Sequence, residues 1–147
     1  MNEWEEERAR GRASLARTLS DLYRRFQEDA AARYQDLGWQ GLGLAHVQFL
    51  AEVQSRGTRL TELAESLGTT KQYAGKMAKD AALHGLVELT GDPQDRRAVL
   101  VIPTDRGQSF FTQACAVRHE LENNFEARLG AERYQAFVDS LALLAMP

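Results

Sequence analysis

The spacing of apolar residues changes at Gly85, and that change decides the architecture. Before it they recur at helical intervals. In Leu86–Thr90 and Ala98–Ile102 β-branched residues crowd together, separated by the polar run Gly-Asp-Pro-Gln-Asp-Arg-Arg, and beyond Thr104 the helical interval returns. Steps of three and four bury one face of a helix, whereas a β-branched run bounded by turn residues reads as a strand. The two runs therefore predict a hairpin with a long polar tip. A lone hairpin does not hold itself together in water, so this one has to pack on the helices before it.

The helices can be placed from their stripes and stops. Leu15, Leu19, Leu22, Tyr23, Phe26, Ala30 and Tyr34 make one long amphipathic helix from about Arg8 to Leu37, interrupted by Gly38, Gly41 and Gly43. Val47, Leu50, Ala51 and Val53 form a second, ending near Gly57. Leu63, Ala64 and Leu67 form a short third behind Thr61 as N-cap, and Thr70 caps a fourth that runs to about His84. After the hairpin, one helix starts from a cap at Thr104 and carries Phe110, Phe111, Ala114, Val117, Leu121 and Phe125; the last follows Gly130. The fold class is mainly α with a small β-hairpin wing. Three helices followed by a hairpin describe a winged helix-turn-helix, flanked here by N- and C-terminal helices. The expected divisions are 1–42 for the N-terminal helix and loop, 43–103 for the winged region and 104–147 for the C-terminal helices.

Composition narrows the function. At 147 residues, 44% hydrophobic and 27% charged, the chain suits one globular unit with a real core. Its longest apolar runs, Ala98–Ile102 and Leu141–Met146, are far short of the ~20 residues a membrane helix needs. The acidic start Met-Asn-Glu-Trp-Glu-Glu-Glu-Arg lacks the apolar stretch of a secretory signal, and the one cysteine, Cys115, permits no internal disulfide. Both point to a cytoplasmic protein without a membrane partner. A net charge of −3 does not advertise a nucleic-acid binder, but the charge is segregated: every charged residue from Thr69 to Lys79 is a lysine.

On the fourth helix, Ala74, Met77, Ala78 and Ala81 make a small apolar stripe that can pack inward, while Gln72, Gly75, Lys76 and Lys79 make a polar one. With Lys71, the polar stripe offers cations to phosphates and a Gln amide able to bond an adenine edge bidentately. Thr70, Lys71, Gln72 and Tyr73 fall in the N-terminal turn from which recognition helices read bases. Gly75 breaks the local rule, since a mid-helix glycine costs ~1 kcal/mol against alanine; close approach of the helix to DNA is one reason for it. At the hairpin tip, Asp95 and Arg97 lie two apart and share a side, so the carboxylate can hold the guanidinium in a pose suited to a narrow A·T-rich minor groove. Arg96 points the other way, towards phosphate. The bland alternatives are a solvated lysine face and a turn nucleated by Asp92-Pro93.

The sequence resembles the MarR-type winged-helix transcription regulators. The resemblance rests on Leu60-Thr61-Glu62-Leu63-Ala64, on Thr70-Lys71-Gln72-Tyr73-Ala74-Gly75-Lys76-Met77, on Gly85-Leu86-Val87, and on Asp92-Pro93-Gln94-Asp95-Arg96-Arg97 followed by Thr104-Asp105-Arg106-Gly107. These motifs span about residues 60 to 107, and the helix order matches over nearly the whole chain. The resemblance implies a homodimer whose terminal segments, 1–42 and 104–147, interlock as dimerisation helices, and which binds double-stranded DNA through the fourth helix in the major groove and Arg97, partnered by Asp95, in the minor groove. It also implies regulation by a small-molecule effector or an oxidant that changes the spacing of the two recognition helices. The chain departs from the family pattern at Ala81, Pro103 and Gly75, where larger aliphatic, leucine and polar residues are usual.

The reading is a ligand-responsive repressor on an inverted-repeat operator. Its rivals are a winged-helix module that dimerises and binds protein without DNA, and a regulator that senses redox through Cys115. Tyr34, Trp39, His46 and Phe49, around the first interhelical loop, are the candidate effector residues. Cys115 and His119, at i and i+4, have a spacing two metal ligands can use, with Glu122 or His46 to complete a set, but nothing fixes the others, and no metal or cofactor is assigned. No Gly-x-Ser-x-Gly elbow, phosphate-binding glycine loop or His-Glu-x-x-His is present, so no enzyme is expected.

Overall fold

The computed structural model describes residues 1–12 and 14–147. Near the N-terminus the expected single helix is two: α1 (Glu3–Arg12) and α2 (Leu15–Asp36). Ser14 is extended and its hydroxyl accepts the Arg17 N–H at 3.3 Å, which starts α2 afresh. Ala13, inside the expected helix, lies outside the described residues. Then follow α3 (Leu44–Ala51), β1 (Thr58–Arg59), α4 (Leu60–Ser66), α5 (Lys71–Leu83), β2 (Val87–Asp92), β3 (Asp95–Pro103), α6 (Asp105–Leu129) and α7 (Ala131–Ala145). This is a winged helix-turn-helix carried between terminal helices, and among the described residues no helix is long and apolar enough to cross a membrane.

Three local expectations are corrected. The sheet has three antiparallel strands in the order β1-β3-β2, because two residues, Thr58 and Arg59, pair with Val101 and Leu100. That pairing makes Arg59 extended, so α4 starts at Leu60 and not behind Thr61; Glu62, at N3, accepts the Arg59 N–H at 3.3 Å. The wing tip is short rather than long. Asp92 Oδ1 accepts the Gln94 N–H at 2.9 Å, which closes the reversal at Pro93-Gln94 and lets both strands run into the polar segment.

The core lies where α2, α3, α4, α5, α6 and the sheet meet. Tyr34, Phe49, Leu63, Leu86, Val101, Phe110 and Val117 are its largest fully buried side chains. Phe110 receives both Tyr34 and Trp39 edge-on, each with ring centroids 5.3 Å away. The inward stripe of α5 behaves as its spacing predicts, with Ala74, Ala78 and Ala81 buried and Met77 partly so. By contrast α7 buries no residue in the single chain.

Candidate nucleic-acid interface

The candidate recognition helix, α5, begins with its cap. Thr70 is extended and its Oγ1 accepts the Tyr73 N–H at 3.1 Å, which fixes where the first turn starts. Small alanines on the inner stripe let α5 sit close against the core, so the outer stripe is left to solvent. Lys71, Gln72, Tyr73, Lys76 and Lys79 are all exposed, and together with Thr70, Gly75 and Leu60 they line one shallow concavity. Gly75 is half-buried there. A Cβ at that position would meet only Leu60 Cδ2, at 3.7 Å, an ordinary contact, so nothing inside the chain requires glycine.

The wing brings Asp95, Arg96 and Arg97 to its exposed tip. Asp95 does not hold the Arg97 guanidinium as expected; its Oδ1 accepts the Arg97 backbone N–H at 3.0 Å. The reason is local. A backbone N–H two residues on is already in place for an Asx-type bond, whereas the guanidinium would have to give up several rotamers to reach the same oxygen. Asp95 therefore shapes the chain under Arg97 and leaves its side chain free. Among the described residues, Lys71, Lys76, Lys79, Arg96 and Arg97 form no ion pair.

What anchors the wing is a pair that sequence reasoning missed. Arg59 Nε donates to Asp92 Oδ2 at 2.6 Å, tying the start of α4 to the hairpin turn, and Asp92 is buried although charged. The Gln94 N–H and the Arg59 guanidinium, in that order, hold its carboxyl below the ordinary value of 3.8 against the opposing effect of burial. These residues are 33 apart, and only the β1–β3 pairing brings them together. The wing base is fixed too. Thr104 Oγ1 donates to the Gly85 carbonyl at 2.6 Å and accepts the Gly107 N–H at 3.0 Å. A Cβ on Gly107 would lie 2.0 Å from the Leu86 carbonyl oxygen, which explains the glycine in Thr104-Asp105-Arg106-Gly107.

Of the four candidate effector residues, Tyr34, Trp39 and Phe49 come together in the core and His46 does not join them. Tyr34, Trp39 and Phe49 are buried in the core, and burial raises the Tyr34 phenol above its ordinary value. Trp39 Nε1 donates to Gln113 Oε1 at 2.9 Å, with the Arg106 guanidinium over its ring at 4.8 Å. These three rings are packed in the core, whereas His46 borders a surface cleft with Gln27, Ala31 and Leu42. His46 is also buried, paired with Asp80 rather than with Cys115 or His119. Cys115 is half-buried on α6, and His119 faces Glu122 at 3.8 Å on the same helix.

Comparison with known proteins agrees with the winged-helix fold. Residues 40–98 match the MarR family. The uncharacterized Mycobacterium tuberculosis protein Rv2011c is 33% identical over 106 residues, which cover 72% of this chain and 69% of that protein. Among solved structures, the transcriptional repressor CouR of Rhodococcus jostii bound to a 23-mer DNA duplex superposes with a TM-score of 0.75 at 25% identity, covering 91% of this chain and 94% of CouR. A mutant MarR from E. coli complexed with operator DNA gives 0.74 at 20% identity, covering 90% and 94%.

Proposed function

The chain belongs to the MarR family of transcription regulators, and from that membership we propose that it is a cytoplasmic homodimer that represses transcription by occupying an inverted-repeat operator. In this reading α5 enters the major groove, where Gln72 and Tyr73 meet base edges and Lys71, Lys76 and Lys79 meet phosphates. Arg97 enters the flanking minor groove and Arg96 lies along the backbone. The observation that carries the proposal is the exposed outer stripe of α5 together with two exposed wing arginines, none of these cations ion-paired to a carboxylate among the described residues.

The terminal segments, 1–42 and 104–147, supply the dimer seam. Leu15 is 68% exposed and Leu144 75% exposed in the single chain; Leu19, Tyr23, Val138 and Leu141 are also exposed on the same two helices, α2 and α7. An apolar face of this kind on a soluble protein marks a partner surface. Two-fold symmetry then sets half-sites about 34–36 Å apart, or a multiple of that. The name of CouR, a repressor, supports the sign of regulation.

Selection of bound duplexes from a random-sequence pool tests the proposal, with Arg97→Ala run beside the unaltered protein. An enriched inverted repeat, degraded in the variant, is expected, with affinity that falls steeply between ~50 and 200 mM salt. A pool that shows no enrichment at any salt would leave a winged-helix fold without DNA binding.

A further inference from the structure

Three side chains with metal-ligating atoms converge where the end of α5 meets the first turn of α3. His46 Nε2 lies 2.6 Å from Asp80 Oδ2, and His84 Nδ1 lies 3.8 Å from the same oxygen. One ligating atom from each residue falls within 4.8 Å of the other two. The imidazoles stand edge to face, 5.4 Å between centroids. His46 is buried, while Asp80 and His84 are half-buried, so the cluster opens to solvent on one side. Among the described residues, no lysine or arginine reaches ion-pair distance of Asp80; only the two histidines do.

Secondary structure sets these positions in advance. Asp80 and His84 stand at i and i+4, one turn apart on the same side of α5, and His84 is its C-cap, with Nδ1 2.9 Å from the Asp80 carbonyl oxygen. His46 sits at N3 of α3, where its Nδ1 accepts the Gly43 N–H at 3.1 Å. Two imidazoles and a carboxylate, with further positions open to water, suit a borderline divalent transition ion such as Zn²⁺ and not Mg²⁺ or Ca²⁺, which favour all-oxygen shells. We propose that His46, Asp80 and His84 form a divalent transition-metal site that joins α3 to the C-terminal end of the recognition helix.

The chemistry makes a specific demand at Gly43. Because His46 Nδ1 accepts that amide, the ring proton is on Nε2 and is donated to Asp80. An ion bound through Nε2 takes the place of this proton, which transfers to Nδ1 of the same neutral ring. There it faces the Gly43 N–H, donor against donor, and the Gly43 cap opens. Bonds of ~2.0–2.2 Å to a tetrahedral ion set ligand atoms about 3.3 Å apart, so His46 and Asp80 separate slightly and His84 closes in.

Zinc chloride titrated calorimetrically into the chelator-treated full-length protein tests this, with His84→Gln, Asp80→Asn and Cys115→Ser in parallel. One zinc per chain is expected, bound more than about a hundredfold more weakly after His84→Gln or Asp80→Asn, a larger loss than outer-shell partners produce, and unchanged after Cys115→Ser. The amide NMR spectrum of the unaltered protein gives a readout that needs no variant to fold: zinc should move the Gly43 resonance. No saturable zinc binding, binding that survives both α5 substitutions, binding lost with Cys115→Ser, or a stationary Gly43 amide would each overturn the assignment. None of these readouts involves DNA, so the site stands or falls apart from the proposed operator.

Discussion

Gly75→Ala should stabilise the free protein and weaken its grip on DNA, two opposite effects of one methyl group. Within the 13-residue α5, replacing an interior glycine by alanine removes backbone entropy from the unfolded chain and gains about 0.8–1 kcal/mol. The added Cβ meets only Leu60 Cδ2 at 3.7 Å, so no steric term offsets the gain. For a chain of 147 residues that corresponds to a rise in Tm of about 2–4 °C, measurable by calorimetry. On DNA the same methyl stands in the concavity lined by Gln72, Lys76 and Lys79. If the helix backbone approaches the groove there, the intrusion costs roughly 1–3 kcal/mol as overpacking does elsewhere, or about five- to 150-fold in affinity. Fluorescence anisotropy with the selected operator measures it. A higher Tm with unchanged DNA affinity would refute the close approach, and a lower Tm would refute the claim that the chain itself leaves room for alanine.

Other substitutions separate the remaining parts of the interface. Arg97→Ala should reduce discrimination for A·T pairs at the operator flanks while leaving the salt dependence nearly intact, whereas Lys76→Ala should weaken all sequences alike and lower the slope of log affinity against log salt by about one; anisotropy on operator and scrambled duplexes distinguishes the two. Asp92, held below the ordinary 3.8 by the Gln94 N–H and Arg59, contributes stability that is complete above that value and disappears as pH falls through the lower folded one. Asp92→Asn should therefore flatten the acid limb of the stability profile below about pH 4, as chemical denaturation at stepped pH will show. Gly107→Ala should cost at least about 2 kcal/mol, because the new Cβ would lie 2.0 Å from a backbone carbonyl oxygen that no rotamer change can move; a variant with native Tm would contradict the packing described.

Periodicity revealed most of the fold because most of it is built from faces. The stripe Ala74, Met77, Ala78, Ala81 told which side of α5 turns inward, and the caps Thr70 and Thr104 told where two helices begin. Two-residue β1 has no period to read, so the third strand stayed hidden and with it the real start of α4. The exposure of the candidate interface was legible where it depends on sequence-local neighbours, such as the lysine stripe of α5 and the wing arginines. It was illegible where it depends on pairings across the sheet: Arg59 and Asp92 meet only because β1 lies beside β3. The partner assigned to Asp95 failed for a related reason, since alternation along a strand says which side chains share a face but not that a backbone N–H will capture the carboxylate first. Tyr34, Trp39 and Phe49 illustrate the limit for cavities, because an aromatic cluster looks the same in sequence whether packing leaves a hole or fills it.

The contacts missed in the sequence are also those that join α5 to the wing. In the proposed reading these two elements enter different grooves, so their relative placement has to be held to a fraction of an ångström for both to engage. At the far end, Arg59 ties the hairpin turn to the first residue of α4, the helix that packs on α5. At the near end, the Leu86 N–H donates to the Ala81 carbonyl at 2.9 Å, and the Thr104 N–H donates to the Leu86 carbonyl at 3.0 Å. Leu86 thus links the end of the recognition helix to the start of α6. Gly107 lets α6 press directly on that residue, with no side chain to cushion it. A tilt of α6 must therefore carry the wing base and α5 together. Because α6 continues for 25 residues towards α7 and the proposed dimer seam, a change at the seam has a stiff path to both α5 and the wing base.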